Sequence, residues 1–541
     1  MLLGRLAVIF FPGEIIFRCN LLSLLATALS AGLLTYLITI FCSKNKFTRL
    51  TAAAIALFMA FTPVWWDQGT SNEVYALTLL LNLLVMVMMV SYSRDRQARH
   101  LVAGFYVLGL SFGVHLSTIF LIPALIYLVI ATDGVSRLFS RRYALAVLFL
   151  IAGLSLYIYL PIRASFKPFL NWSNPASLGG FINHISGWQY RVWMFGSFSA
   201  MQQAAGHFLR LLFIQFGVIG LGLACLGLFY SFKNMPKLAF FAAAMIIGDI
   251  GYSINYEIVD INSYYLVAFA CLALFAAVGL SNVFIFIRRL MQKKPRLSYI
   301  LMLLLALALP AWALFANFSS QNKSDKVLAA RGVEMTLASM DKNGLAIVEN
   351  WDLYSPWLYY RYALNVRPDV VLIDKELLRR SWYLDFLRRS YPEITESSRV
   401  DISRFLRLLE PFENRRRFDP AALTAAYRAM IGSIVANNRA KRPVYTNILG
   451  DPDMAPDLFR NPIGVIYRLD DRPLCLKFDL DKLDFDAWDS PQLSNDPRAR
   501  IILAGFARAV SIKASLCHEL DDQLEAKKYA KLALRLKQIL E

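Results

Sequence analysis

Residues 62–76 read TPVWWDQGTSNEVYA, a short polar connection between two long apolar runs, and they carry two carboxylates, Asp67 and Glu73. Acids held between membrane-length segments are costly unless they meet water or a cation, so each is a candidate for function. Trp65 and Trp66 suit a loop at the headgroup level, where indoles collect, and Asp67 beside them reads as a solvated loop acid. Glu73 opens the next run with Tyr75 beside it, either as a helix-start acid favoured by the dipole or as a site residue.

The surroundings of that island require lipid. The chain has 541 residues, of which 57% are hydrophobic, and a mean hydropathy of +0.45, which together exclude an ordinary soluble protein. Apolar segments long enough to span, or nearly so, run over 15–42, 47–64, 72–92, 99–113, 115–131, 142–161, 207–231, 237–254, 263–287 and 297–317, about ten in all. The fourth and fifth meet at Gly113, Val114 and His115, as two tilted spans or as one re-entrant pair.

A net charge of +18 would suggest nucleic acid as the partner of a soluble protein. Here much of it sits in short loops between spans and reports orientation, so no nucleic-acid partner is expected. The basic clusters are Lys44, Lys46 and Arg49; Arg94, Arg96 and Arg99; Arg137, Arg141 and Arg142; Lys233 and Lys237; and Arg288, Arg289, Lys293, Lys294 and Arg296. If every span crosses, all five lie in the cytoplasm, and 62–72, 162–206, 254–262 and everything after 318 lie outside. The same alternation sends the first span from outside to inside. Residues 1–14, MLLGRLAVIFFPGE, are too short to span and lack a small-residue cleavage site, so either a helix and an external loop precede Met1 in the natural protein or the N-terminus crosses unaided.

The segment from Tyr157 to Phe195 is aromatic, basic and nearly free of acids. Arg163 follows Pro161 at the membrane exit, where a guanidinium either snorkels to the headgroups or grips a phosphate bidentately. Lys167, Trp172, His184, Gln189 and Tyr190 come after it, and NYEIVDINSYY, residues 255–265, adds Glu257 and Asp260 at the same face. Acids in one loop and cations in the other suggest a shared polar cleft, although a transporter vestibule has the same composition. No cofactor is evident and no metal site is legible: His115 lies on an apolar stretch without a nearby His or Cys and reads as a packing histidine. Of six cysteines only Cys475 and Cys517 fall in the polar part. They read as unpaired thiols, a bridge being the alternative in an oxidising compartment.

Beyond Asn317 the periodicity changes, and the domains expected are a membrane domain at 1–318, an external α/β domain at 319–480 and a helical segment at 481–541. LAIVE (345–349) and DVVLID (369–374) read as strands separated by a helix over 353–363, with RPVYTNIL and GVIYRLD as further strands. Asp352 reads as the cap of the helix that follows β-strand LAIVE, or as a ligand group at that strand's carboxyl end. The last forty residues form two amphipathic helices, like one unit of a helical repeat.

The motifs GRL (4–6), RCNLLS (18–23), AFTPVWWDQGTSNEVYAL (60–77), GLSFGVHLS (109–117), YLPIRAS (159–165), LNWSNP (170–175), YEIVDINSYYL (256–266), ENWDLYSPWLYY (349–360) and RPDVVLIDKELLRRSWYLDFLRR (367–389) occur in order. As a set they resemble the domain-of-unknown-function 2723 family of bacterial multi-pass membrane proteins, which is similar to eukaryotic transmembrane protein O-mannosyltransferases and grouped with the GT-C glycosyltransferases. The resemblance implies a GT-C-like helical membrane domain followed by a soluble α/β domain that ends in a helical hairpin. It implies transfer of a sugar from a polyprenyl-phosphate donor to a protein or glycan acceptor on the non-cytoplasmic side of a bacterial inner membrane. Under it, Arg163 and Lys167 bind the donor phosphate, and Trp172, His184, Gln189, Tyr190, Glu257 and Asp260 bind substrate. Members carry an acidic DSGEF-like motif in the first external loop that this sequence does not contain, so either the true start lies upstream or the chain is a degraded relative that binds without catalysing; Glu73 matches a family position and is the catalytic candidate within this chain. A transporter or flippase for lipid-linked substrates, and a non-catalytic envelope scaffold, are the competing readings, and paired inverted repeats, the mark of many transporters, are not seen.

Overall fold

A computed structural model describes residues 2–42, 46–258, 260–324, 328–451, 453–488 and 497–541. Lys44 of the first basic cluster lies outside the described residues. The chain divides into two compact units, one formed by Met1–Ile162 and Ile182–Lys323, the other by Arg163–Phe181 and Ser324–Glu541. This departs from the sequence-based borders. Residues 163–181 join the second unit because Leu170 and Trp172 pack against its apolar core. No break falls at 480, because Met335 and Val465 share a core with Trp488, Leu503 and Tyr529 of the C-terminal segment.

The first unit is helical throughout. Helices at Ile15–Phe41, Tyr75–Asp95, Leu116–Asp133, Arg141–Ser165, Phe198–Asn234, Ile261–Leu290 and Pro295–Gln321 are each long and apolar enough to cross a membrane, and the chain is a multi-pass membrane protein. The other three expected spans are also helical but differ in form. Thr48–Ala60 bends by 71° into Pro63–Gly69, and Ala98–Phe112 is a shorter apolar helix. Pro236–Ser253 carries Asp249. Residues 98–133 form two helices that meet at His115, whose ring accepts from the Ser117 amide at the start of the second.

In lipid there is no hydrophobic drive between helices, so close packing of small residues brings them together. A Cβ placed on Gly227 would stand 2.6 Å from the Phe275 carbonyl carbon and 2.7 Å from the Gly279 amide, and one on Gly109 would stand 2.9 Å from the Gly153 Cα. Two helix pairs therefore touch backbone to backbone. Asp249, 2% exposed, joins helices by a hydrogen bond instead, accepting from the Ala268 amide at 2.8 Å. That amide is one of the first four N–H groups of helix Leu266–Leu290, so the carboxylate caps a neighbouring helix from the side.

The basic residues gather at one end of this unit. Arg94 donates to the Phe41 carbonyl at 3.1 Å, Lys237 to the Ser93 carbonyl at 3.0 Å, and Asp133 accepts from Tyr143 at 2.6 Å and pairs with Arg142 at 3.0 Å. At the other end of Tyr75–Asp95, roughly 30 Å away at 1.5 Å per residue, lies the stretch 62–76. It is not the solvated loop its composition suggests. Pro63 starts a short helix, and Trp65 is buried at 1% exposure. Asp67 pairs with Lys323 at 2.6 Å, and the same ammonium donates to Ser71 at 2.8 Å.

The second unit is α/β. Its strands are β1 (Leu345–Val348), β2 (Val371–Asp374), β3 (Val444–Thr446), β4 (Phe459–Ile463) and β5 (Ile466–Asp470), in the order β2-β1-β3-β5-β4. The first three are parallel, and β5 turns back antiparallel to β3 and pairs with β4. β1 and β2 are buried along their whole length, as parallel strands covered by helices must be. Asp352 does not cap the helix Trp351–Tyr362: the Asn350 side chain accepts from the Asp352 amide at 2.8 Å. The final hairpin, Pro497–Glu519 and Gln523–Leu540, is tied back by a Cys475–Cys517 disulfide, in place of the free thiols that the cysteine spacing suggests. Helix Arg498–Glu519 also passes for a span on composition, but it packs within this unit and buries Lys513, whose ammonium donates to the Pro462 carbonyl at 3.2 Å.

Candidate functional site

At the end of the first unit away from the basic residues, four segments meet. Tyr75 opens its helix with its ring 5.2 Å from His115 and 5.4 Å from Tyr264, and His115 lies 5.3 Å from Tyr264. Tyr264 also packs on Tyr256 at 5.5 Å, and Tyr252 on Phe120 at 4.2 Å. The His115 ring is held by Ser117 Oγ at 2.8 Å. The segment after helix Leu178–Ile185 joins them through backbone: the Phe195 amide donates to the Asn255 carbonyl at 2.8 Å and the Glu257 amide to the Trp193 carbonyl at 2.9 Å. Gln68 Nε2 donates to Ser263 Oγ at 2.9 Å, which brings in the stretch 62–76. The result is a wall of phenols and one imidazole with carboxylates on the loops around it.

Of the residues singled out in the sequence, the first unit holds Glu73, His184, Gln189, Tyr190, Glu257 and Asp260. Glu73 is exposed and stands two residues ahead of helix Tyr75–Asp95. Glu257 is exposed, with Oε1 so close to Gly196 that an added Cβ there would lie 2.6 Å from it. Gln189 and Tyr190 belong to the single 3-10 stretch Trp188–Trp193, and the Tyr190 ring lies 6.0 Å from Trp193. Burial pushes the Tyr256 phenol up, and the nearby Tyr190 adds to the effect. Asp260 is exposed, and its backbone carbonyl accepts from the Ser263 amide at 3.2 Å. His184 is half-buried, and that burial lowers its imidazole pKa. The structure thus brings residues 193–195 and 255–257 together, whereas Arg163 and Lys167, the cations expected to share a cleft with Glu257 and Asp260, belong to the other unit.

Arg163, Lys167 and Trp172 belong to the second unit. Arg163 and Lys167 are exposed, and the Lys167 carbonyl accepts from Arg389 at 3.5 Å. Trp172 is engaged with other indoles, 4.5 Å from Trp382 and 6.1 Å from Trp351.

Sequence reasoning missed the central triad of Tyr75, His115 and Tyr264. Topology put each residue at a span end assigned to the same side, but carried no signal that the three rings touch. Among the described residues no group of His, Cys, Asp or Glu is arranged to hold a metal ion.

The family model for the protein O-mannosyl-transferase TMEM260 N-terminal domain matches residues 1–137. Protein O-mannosyl-transferase TMEM260 of Mus musculus is 24% identical over 429 residues, covering 73% of this chain and 58% of the relative. Protein O-mannosyl-transferase tmem260 of Dictyostelium discoideum is 20% identical over 402 residues, covering 65% of this chain and 48% of the relative. The chain spans about half the length of these curated relatives. Among solved structures, ArnT from Cupriavidus metallidurans, bound to undecaprenyl phosphate, matches with a TM-score of 0.39 and 14% identity over 82% of this chain and 81% of that one. This multi-pass membrane chain is therefore similar, through its N-terminal quarter and along most of its length, to protein O-mannosyl-transferases.

Proposed function

We propose that the chain is a GT-C-like membrane glycosyltransferase that passes a sugar from a polyprenyl-phosphate donor to a protein or glycan acceptor on the non-cytoplasmic side. The observation that carries this reading is the similarity to protein O-mannosyl-transferases over 73% of the chain. The meeting of Tyr75, His115 and Tyr264 beside the Glu257 loop supports a built site at one end of the bundle. The Cys475–Cys517 bridge supports an oxidising compartment for the second unit.

In the proposed reaction the acceptor hydroxyl attacks the anomeric carbon and the bond from that carbon to the phosphate oxygen breaks, with inversion. The hydroxyl proton passes to a carboxylate, a step typically contributing about 10²- to 10⁴-fold. Within this chain we assign that role to Glu73. The departing phosphate gains negative charge that a fixed cation offsets, a role to be tested at Arg163. Tyr190 offers a stacking face, and His184, Gln189, Glu257 and Asp260 offer hydrogen bonds to sugar hydroxyls.

The test is transfer of labelled sugar from a polyprenyl-phosphate donor by the natural protein in proteoliposomes. Arg163→Ala should lower the rate by roughly 10²-fold or more, the size seen when a charge-stabilising donor is removed. Unchanged transfer would remove Arg163 from the mechanism. Movement of the intact donor across the bilayer without transfer would replace the enzyme reading with a flippase.

A further inference from the structure

The second unit presents an apolar edge that a water-exposed domain has no reason to keep. Helix Arg141–Ser165 is long and apolar enough to cross a membrane, and Leu148, Ile151, Ile158 and Ile162 along it are each more than half exposed, as lipid-facing residues are. Its last residues, from Arg163, already belong to the second unit, and Asn171 Nδ2 ties the strap after it to the Ala164 carbonyl at 3.4 Å. Phe166 follows at once, 72% exposed. Phe169 lies four residues beyond Ser165, within about 14 Å even if the chain is fully extended. Its ring packs 4.3 Å from Tyr362 and 5.1 Å from Phe386. Tyr362 is 41% exposed, and the turn after it exposes Leu364 at 48% and Val366 at 37%.

We infer that this edge, formed by Phe166, Phe169, Tyr362, Leu364 and Val366, is seated in the headgroup region of the bilayer. Covalent reach alone fixes Phe169 near the end of a span, and the ring contact carries Tyr362 with it. Aromatic residues are favoured at that depth, where a flat apolar ring and a polar hydroxyl are both satisfied. Phe169 and Tyr362 form one aromatic surface with exposed apolar neighbours on both segments of chain; such a surface on a water-facing domain marks an interaction site, and the chain's own exit from the membrane identifies lipid as the occupant. The inference stands whether or not the protein transfers sugars.

The experiment uses the natural chain in phospholipid nanodiscs containing a lipid with a photoactivatable group near its headgroup, followed by peptide mapping. Peptides bearing 166–169 and 362–366 should be labelled several-fold more than those bearing Val400 or Leu524, which are at least as exposed but have no link to the span end. Hydroxyl-radical footprinting from the aqueous phase should show the reverse order. Aqueous labelling of Leu364 and Val366 at the level of Val400 would overturn the inference. Protection from both reagents would overturn it too, since protein rather than lipid would then cover the edge.

Discussion

Gly227→Ala is the sharpest test of how the membrane unit is held together. The added Cβ would lie 2.6 Å from the Phe275 carbonyl carbon and 2.7 Å from the Gly279 amide, both backbone atoms that no rotamer change can move aside. The Phe275 carbonyl oxygen lies nearer still, so restoring ordinary contact needs the helices Phe198–Asn234 and Leu266–Leu290 to separate by roughly 1.5 Å, and a gap of about 0.5–1 Å already forfeits a quarter to a half of the dispersion well for the atoms along the seam. Overpacking of this kind costs about 1–3 kcal/mol, and at roughly 2–4 °C per kcal/mol the midpoint of thermal unfolding should fall by about 5 °C. The same helix supplies the control. A Cβ on Gly222 meets nothing within 4 Å, so Gly222→Ala should be neutral or slightly stabilising through helix propensity. The assay is the loss of monodisperse protein after heating in detergent. Equal midpoints for the two variants would refute the backbone-to-backbone crossing.

Asp249→Leu should cost about 2 kcal/mol, the penalty for leaving the Ala268 amide buried without an acceptor. Asp249→Asn, which keeps an oxygen there, should lose less than half of that in the same heating assay. The Arg367 guanidinium beside Asp369 holds its carboxyl at about 2, below the ordinary value of 3.8. Its stabilising contribution is therefore complete above pH 4 and disappears as pH falls through 2, by about 1–2 kcal/mol after screening; Asp369→Asn should flatten acid unfolding in that window. Asp374 has the opposite sign: burial raises it to about 6, so its ionisation costs stability as pH rises from about 4 through 6. Asp374→Asn should gain on the wild type across that interval when unfolding is followed against pH. The Cys475–Cys517 bridge closes a loop of 42 residues, which by chain entropy stabilises by about 4 kcal/mol. A double Cys→Ser variant should expose the final hairpin to limited proteolysis before the sheet is cut.

What could be read from sequence alone followed from physics that is local in the chain. Hydropathy located the long helices, and LAIV and VLID declared themselves as buried strands because covered parallel strands are apolar throughout. β4, with the sequence FRNPI, did not: Pro462 argues against a strand, and it is tolerated only because β4 lies at the sheet edge. The two indoles at 65 and 66 suggested a solvated loop, yet Pro63 starts a helix there and Trp65 is buried, a tertiary outcome that composition does not carry. Pairing of Cys475 with Cys517 depends on where the last hairpin docks, which no spacing rule supplies. Charge bias assigned the 162–206 and 254–262 loops to one side, but did not show that the backbone of 193–195 would pair with 255–257 while Arg163 and Lys167 joined the other unit. The Tyr75, His115 and Tyr264 contacts were not legible either, since aromatic residues at helix ends are common and only the bundle decides which of them touch.

The strap 163–181 is made long before residues 324–541, yet it belongs to the same folded unit as they do. During synthesis Phe169 and Trp172 must wait while several further helices are made, because Trp382 and Phe386, against which they settle, do not yet exist. A truncation after residue 323 would therefore strand those rings without their seat. The damage would reach an element that lies well upstream of the cut.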